Sequence, residues 1–254
     1  MLKLSLITIS YNSEKTILDT LLSVNEQKYS NIEYIIIDGS STDNTITIIE
    51  KNSKRLSKLV SEPDKGIYDA YNKGLKLASG DVVGFLNSDD VYASNNTISN
   101  IMSVFNNQDI DALHGDLVYV DADTKIITRY WKSKIFEKSD YLKGRIPAHP
   151  TVFLTESTIK TLGKYNTKYN YAADFDYLNR AFYRSNLKTV YLNEIIVKMK
   201  TGGKTGGGVK SVIAQNKEIL DSLKENNIKV NILTFVFVKI KDRVVQKINA
   251  ILLR

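Results

Sequence analysis

At 254 residues the chain is long enough for one large α/β domain with a small appendage, and its lack of cysteine excludes disulfides, thiolate nucleophiles and cysteine-type zinc sites. Only His114 and His149 are available as imidazole ligands, so any metal must be held by oxygen, which favours a hard cation such as Mg2+ or Mn2+. The net charge of +7 suggests nucleic acid until its distribution is read: residues 228–254 carry Lys229, Lys239, Lys241, Arg243, Lys247 and Arg254 against Asp242 alone, a balance of +5. Nucleic-acid binding is therefore the weakest reading.

Leu4 to Ile9 reads as a strand, followed by the turn residues Ser10 to Ser13 and a helix with apolar spacing at Ile17, Leu21 and Leu22. Its apolar stretch is too short for a signal peptide, and no later run approaches a bilayer span, so a cytoplasmic protein is expected. Ile32 to Ile37 is a second strand, stopping at Asp38-Gly39-Ser40-Ser41-Thr42-Asp43, with a helix after it. Leu59 to Ser61 is a short third, and Glu62-Pro63-Asp64-Lys65-Gly66 turns into a helix from Ile67 to Ala78. The wholly apolar run from Val82 to Leu86 then ends at Asn87-Ser88-Asp89-Asp90. This alternation specifies a mostly parallel sheet with helices on both faces, and right-handed connections put Asp38 and the Asp89-Asp90 pair on one edge.

The texture changes after a helix ending near Phe105. Ala112 to Val120 and Ile126 to Trp131 form an antiparallel pair, Ile146 to Pro150 a rigid loop, and a helix begins near Asp174. Two last strands, Val190 to Leu192 and Ile195 to Met199, precede a glycine-rich stretch from Gly202 to Gly208, which is either a loop moving over a site or a backbone approaching a ligand closely. Its spacing does not make a phosphate-binding P-loop. A helix from Val209 to Lys224 follows. The chain reads as one α/β unit, residues 1–227, with a tail, 228–254.

Each acid has a plain alternative to a functional role. Asp89 and Asp90 repel one another, which makes sense beside a cation, but a solvated turn is the competing reading. Asp38 can accept from a base or ribose, or cap the next helix. Asp64 and Lys65 can meet a phosphate, yet an acid before a helix caps it by default. Asp174 and Asp176 stand where helix N-termini welcome acids, but Ala172 and Ala173 leave room at Asp174 for a substrate. An aspartyl-phosphatase site is excluded because Ser40 stands where a second acid is needed.

The segments Thr8-Ile9-Ser10-Tyr11-Asn12, Ile37-Asp38-Gly39-Ser40-Ser41-Thr42-Asp43, Gly66-Ile67-Tyr68-Asp69-Ala70-Tyr71-Asn72-Lys73-Gly74 with Ala78-Ser79-Gly80-Asp81, and Phe85-Leu86-Asn87-Ser88-Asp89-Asp90, in this order and spacing, resemble a family 2 glycosyltransferase of the GT-A fold. The resemblance implies a Rossmann-like nucleotide-sugar half over residues 1–110, an acceptor half with a small antiparallel region over 111–227, and an inverting transfer from a nucleotide-sugar, a UDP-sugar foremost, in surface polysaccharide biosynthesis. Thr8, Tyr11 and Asp38 would contact the nucleotide, with Asp64 and Lys65 near it; Asp89 would position the donor and Asp90 coordinate a divalent cation, Mn2+ or Mg2+. Asp174 would be the base, with Ala173 replacing the glutamate that the family places before it. Asn87 replaces the first acid of the family's acid-x-acid pattern, leaving Asp90 as principal ligand. His149, Gly202 and Gly203 fall near acceptor and donor. The Gln-x-x-Arg-Trp motif of processive members is missing, so single addition is implied.

In the tail, Ile240, Val244, Val245, Ile248, Ile251 and Leu252 fall on one helical face, with Lys239, Arg243 and Lys247 placed on the other. Such a helix suits an anionic membrane surface and a polyprenyl-linked acceptor, or packs on its own domain or on a second subunit. The rival enzyme reading is a sugar-nucleotide nucleotidyltransferase, although Tyr11 to Glu14 stand where its glycine- and arginine-rich loop belongs. A non-catalytic nucleotide-sugar or glycan binder is the rival from another class.

Overall fold

The structure, a computed structural model, describes residues 1–201 and 208–253. Four strands run parallel in the order β3 (Leu56–Ser61), β2 (Ile32–Asp38), β1 (Leu4–Ser10), β4 (Val82–Phe85). They are linked by α1 (Ile17–Asn25), α2 (Thr45–Asn52) and α3 (Ile67–Leu77), as the alternating pattern predicts. Every residue of β1 is buried, and so are all of β2 but its first, which explains their unbroken apolar runs.

Beyond β4 the sheet becomes mixed. β8 (Phe153–Thr155) joins β4 antiparallel, β6 (Ala112–Val120) joins β8, and β9 (Thr189–Lys200) runs parallel to β6. The predicted hairpin forms between β6 and β7 (Ile127–Trp131). The final strand, β5 (Asp90–Tyr92), is not foreseen by the sequence reading; it pairs antiparallel with β9. At three residues it has no legible alternation of its own and exists because β9 offers an edge. β9 is also continuous where two short strands are predicted, with its irregularity absorbed as register shifts against β6 around Gly115.

Two apolar layers cover the sheet. α1, α2 and α4 (Thr97–Asn107) pack Leu21, Ile49 and Ile101 against Leu6, Tyr34 and Ile36. On the opposite face α3, α7 (Ala173–Asn179) and α8 (Gly208–Glu225) bring Tyr71, Phe175 and Leu223 against Ile7, Ile37 and Val83.

The tail is a helix, α9 (Ile232–Leu252), and it packs on its own domain. Phe235, Val238 and Ala250 are buried, and Arg145 holds Asp242 through Nε (2.6 Å) and Nη2 (2.5 Å). Gly144 makes room for this contact, since a Cβ there would lie 2.3 Å from Phe235 Cε2, on a backbone already at φ +69°. Ile240, Val244, Ile248 and Ile251 point outward, while Lys239, from the polar face of the predicted helix, turns inward beside the rings of Phe175 and Phe235.

Candidate active site

The carboxyl ends of β1, β2 and β4 lie together: Ser10 pairs with Asp38, and the amide of Leu86 donates to Ile7 O at 3.0 Å. Acids at these ends therefore converge as expected. Their individual environments separate them.

Asp38 is fully buried and saturated. Its Oδ1 accepts from Ser10 Oγ (2.9 Å) and Ser41 Oγ (2.5 Å), and its Oδ2 from Ser41 N–H (2.8 Å) and Ser61 Oγ (2.8 Å). A carboxylate has about four acceptor sites, and these bonds occupy them. Asp38 thereby ties together the loops of Ser10, Ser41 and Ser61, and the next helix starts later, after Asn44. Thr8 is wholly buried within β1 with its hydroxyl 3.0 Å from Tyr34 Oη.

Tyr11 and Asp64 do stand at the open edge. Tyr11 is half exposed, and a Cβ on Gly39 would come within 3.2 Å of its ring and 3.0 Å of Asp64 Oδ2, so this glycine lets the two approach across the loop. Lys73 holds Asp64 Oδ1 at 2.5 Å. Lys65 is exposed; its amide donates to Asp69 Oδ2 at 3.1 Å, while its side chain is not used in capping α3, whose first cap position is Gly66.

At the end of β4, Asn87 is held from both sides: Tyr71 Oη donates to its Oδ1 at 2.6 Å and its Nδ2 donates to Asp90 Oδ2 at 3.4 Å. Asp90 is fully buried, and its Oδ1 has no hydrogen-bond partner. Burial, with the charge of Asp89 added, pushes its carboxyl well above the usual carboxylate range; burial also raises Asp89, whose shift the charge of Lys200 opposes. Two acids whose charges are this costly, one with an orphaned oxygen, fit a cation bound beside them. Among the described residues no three His, Asp or Glu side chains gather to hold a metal. The available set is thus Asp90, with Asp89 adjacent and the remaining positions left to phosphate oxygens and water, which suits a hard cation.

Asp174 begins α7 and is only partly buried. Its Oδ1 accepts from Tyr68 Oη (3.2 Å) and from the amide of Phe175 (2.8 Å), leaving Oδ2 for a substrate. Asp176, indistinguishable from it in sequence, is consumed by Ser222, Asn226 and Arg180 at 2.8, 3.1 and 3.0 Å. The loop before Asp174 is fixed by Glu218 of α8, which accepts from the amides of Asn170, Tyr171 and Ala172.

His149 is buried, with Nε2 2.8 Å from Tyr165 Oη and its ring 5.4 Å from Tyr71 and 5.5 Å from Phe85. Burial lowers its pKa, opposed by the charge of Asp174. It braces the aromatic layer of Tyr71, Phe85 and Tyr165. Gly202 and Gly203 lie outside the described residues.

The sequence reading overlooks Tyr68 and Tyr71. Their i, i+3 spacing on α3 sets both hydroxyls on one helical face, the only signal the sequence carries for them.

The family described as glycosyl transferase family 2 matches residues 5–190. A PGL/p-HBAD biosynthesis glycosyltransferase of Mycobacterium bovis is 28% identical over 204 residues, 79% of this chain and 76% of its own length. A UDP-Glc:alpha-D-GlcNAc-diphosphoundecaprenol beta-1,3-glucosyltransferase of Escherichia coli is 37% identical over 113 residues, 44% of each chain. In three dimensions the mannosyltransferase of Pyrobaculum calidifontis, solved with GDP-Man and Mn2+, superposes with a TM-score of 0.66 at 16% identity, over 91% of this chain and 65% of that one. That likeness gives the GT-A fold, and the family match sets the nucleotidyltransferase and binder readings aside. The family match covers most of the chain, which therefore belongs to glycosyl transferase family 2.

Proposed function

We propose that the chain is an inverting, metal-dependent glycosyltransferase that moves a sugar from a nucleoside-diphosphate donor, a UDP-sugar foremost, to a hydroxyl of a glycan or lipid-linked acceptor in surface polysaccharide or glycolipid synthesis. The observation that carries the reading is the double role of α3: Tyr68 holds the candidate base Asp174, and Tyr71, three residues on, holds Asn87 and through it Asp90. One rigid helix thus sets the distance between the base and the acids at the donor's diphosphate.

Asp174 Oδ2 takes the proton of the acceptor hydroxyl as its oxygen bonds to the anomeric carbon. The bond from that carbon to the phosphate oxygen breaks on the opposite face, so the configuration inverts and a nucleoside diphosphate leaves. A divalent cation held by Asp90 would supply charge neutralisation at the leaving group. Tyr11 and Asp64 border the nucleotide side, residues 1–110 acting as the donor half and 111–227 as the acceptor half. The diphosphoundecaprenol-linked acceptor in the Escherichia coli relative's name supports a lipid-linked acceptor here.

The tail supports work at the cytoplasmic face of a membrane. Among the described residues no helix is long and apolar enough to cross one. On α9, Leu233, Phe237, Ile240, Val244, Ile248 and Ile251 form an exposed stripe, bordered by exposed Lys241, Arg243 and Lys247. None of these three cations is in an ion pair among the described residues, and a cation-bordered apolar stripe matches an anionic bilayer surface better than a second copy carrying the same charges. Phe237→Ser with Ile240→Ser in the full chain should abolish pelleting with phosphatidylglycerol vesicles; unchanged pelleting would remove the membrane from the reading.

The activity itself is tested by calorimetric titration of a panel of nucleotide-sugars with and without Mn2+. At least one UDP-sugar should bind in a Mn2+-dependent manner, and failure of every nucleotide-sugar to bind would refute the reading.

A further inference from the structure

Four residues in mutual register form one row across the sheet: Asp90 on β5, Met199 on β9, Tyr119 on β6 and Arg129 on β7. Registered partners share a face, so the row carries the candidate metal acid at one end and an arginine at the other. Three strand spacings of about 4.8 Å, roughly 14 Å, separate their backbones. The Arg129 guanidinium lies 3.8 Å over the Tyr119 ring, and its Nε is buried without a hydrogen-bond partner.

α9 crosses this end of the sheet and adds two further cations. Lys239 Nζ sits 5.8 Å from the Phe175 ring centre, beside Asp174 in sequence, and 5.4 Å from that of Phe235. Arg243 follows one helical turn later. Neither they nor Arg129 form an ion pair among the described residues, and the nearest acid on the helix, Asp242, is taken by Arg145. The crowding is felt electrostatically: burial lowers Lys239 to about 8, with Arg243 and Arg145 adding to the depression and Asp242 and Asp174 opposing it. Burial lowers Arg129 to about 10, again with Arg243 contributing. Lys239 and Arg129, both held against aromatic rings and the latter with an orphaned buried donor, cost free energy unless an anion joins them, and the exposed Arg243 stands beside them.

We propose that Arg129, Lys239 and Arg243 form an anion site for the phosphate of a lipid-phosphate-linked acceptor, next to the base Asp174. The proposal rests on the glycosyl-transfer reading. The donor's diphosphate belongs at Asp90, at the other end of the row, so we assign the second anion to the acceptor. Lys239 faces the domain while Arg243 borders the exposed apolar stripe of the same helix, so α9 would carry the cations to the headgroup level at which a lipid diphosphate stands.

The test uses decyl diphosphate, below its micellar concentration, titrated into the full chain in the presence of saturating UDP and Mn2+. The wild type should bind it, and Lys239→Gln and Arg129→Gln should each weaken binding about tenfold or more, while Lys239→Arg keeps it. UDP titration of the same samples reports that the fold is intact. Gly144→Ala, which displaces Phe235 and so shifts α9, should weaken binding as Lys239→Gln does. Equal affinity in Lys239→Gln and Arg129→Gln, or competition between UDP and decyl diphosphate, would overturn the site. So would loss of phosphatidylglycerol-vesicle pelleting by Lys239→Gln, which would make the anion a bilayer headgroup. None of these outcomes depends on turnover, so they stand apart from the test of Asp174 as base.

Discussion

Tyr68 Oη donates to Asp174 Oδ1 at 3.2 Å, joining α3 to the first turn of α7. The bond fixes one carboxylate oxygen, so Tyr68 aims the other. Burial, with the charge of Asp174 next, raises the phenol far above its normal range, so it remains a donor at any working pH. Tyr68→Phe removes this bond and leaves the carboxylate free to turn. Transfer should then lose about tenfold or more in kcat while UDP binding is unchanged. An unchanged kcat would show that Tyr68 only packs.

Asp90 should govern Mn2+ dependence. With Asn87 in place of the first acid, no second carboxylate of that motif shares the cation, so Asp90→Asn should weaken Mn2+-dependent UDP binding about tenfold or more. Metal-free UDP binding should change little, because Tyr11 and Asp64, the proposed nucleotide contacts, meet across Gly39 without Asp90. Equal Mn2+ enhancement in wild type and variant would move the metal ligand elsewhere.

His114 makes stability depend on pH. Its Nδ1 is 3.0 Å from Ser133 Oγ, and burial lowers its pKa from 6.5 to about 4. Between these values the unfolded chain takes up a proton that the folded chain refuses. The unfolded state therefore binds more protons, and stability falls as pH drops through that window. The urea midpoint should decline from neutral pH toward about 4, and the decline should be shallower in His114→Gln. Parallel pH profiles for the two proteins would contradict this assignment.

How much of this was legible depends on where each residue's partners lie in the chain. β1, β2 and β4 are readable because each is an apolar run stopped by polar turn residues, with acids at the ends of β2 and just beyond β4, and their convergence follows from connection handedness. Asp38 is readable as important but not as saturated, because Ser61, which completes its shell, lies on another strand. Asp174 and Asp176 are equivalent in sequence; Ser222 and Asn226 of the distant α8 end decide between them. The periodicity of α9 is plain, but which side docks is not. Gly144, outside the helix, seats Phe235 and so turns Lys239 inward and the apolar stripe outward. The cation cluster is invisible in the sequence for the same reason, since Arg129 meets α9 only through the fold.

The most direct test of the account is Asp174→Asn, assayed for sugar transfer and for donor binding on the same protein. The substitution keeps the size of the side chain and both bonds at Oδ1, while removing the carboxylate that takes the proton. Transfer should fall about 10²- to 10⁴-fold, with Mn2+-dependent UDP binding unchanged. Transfer at the wild-type rate would contradict the assignment of Asp174 as the base.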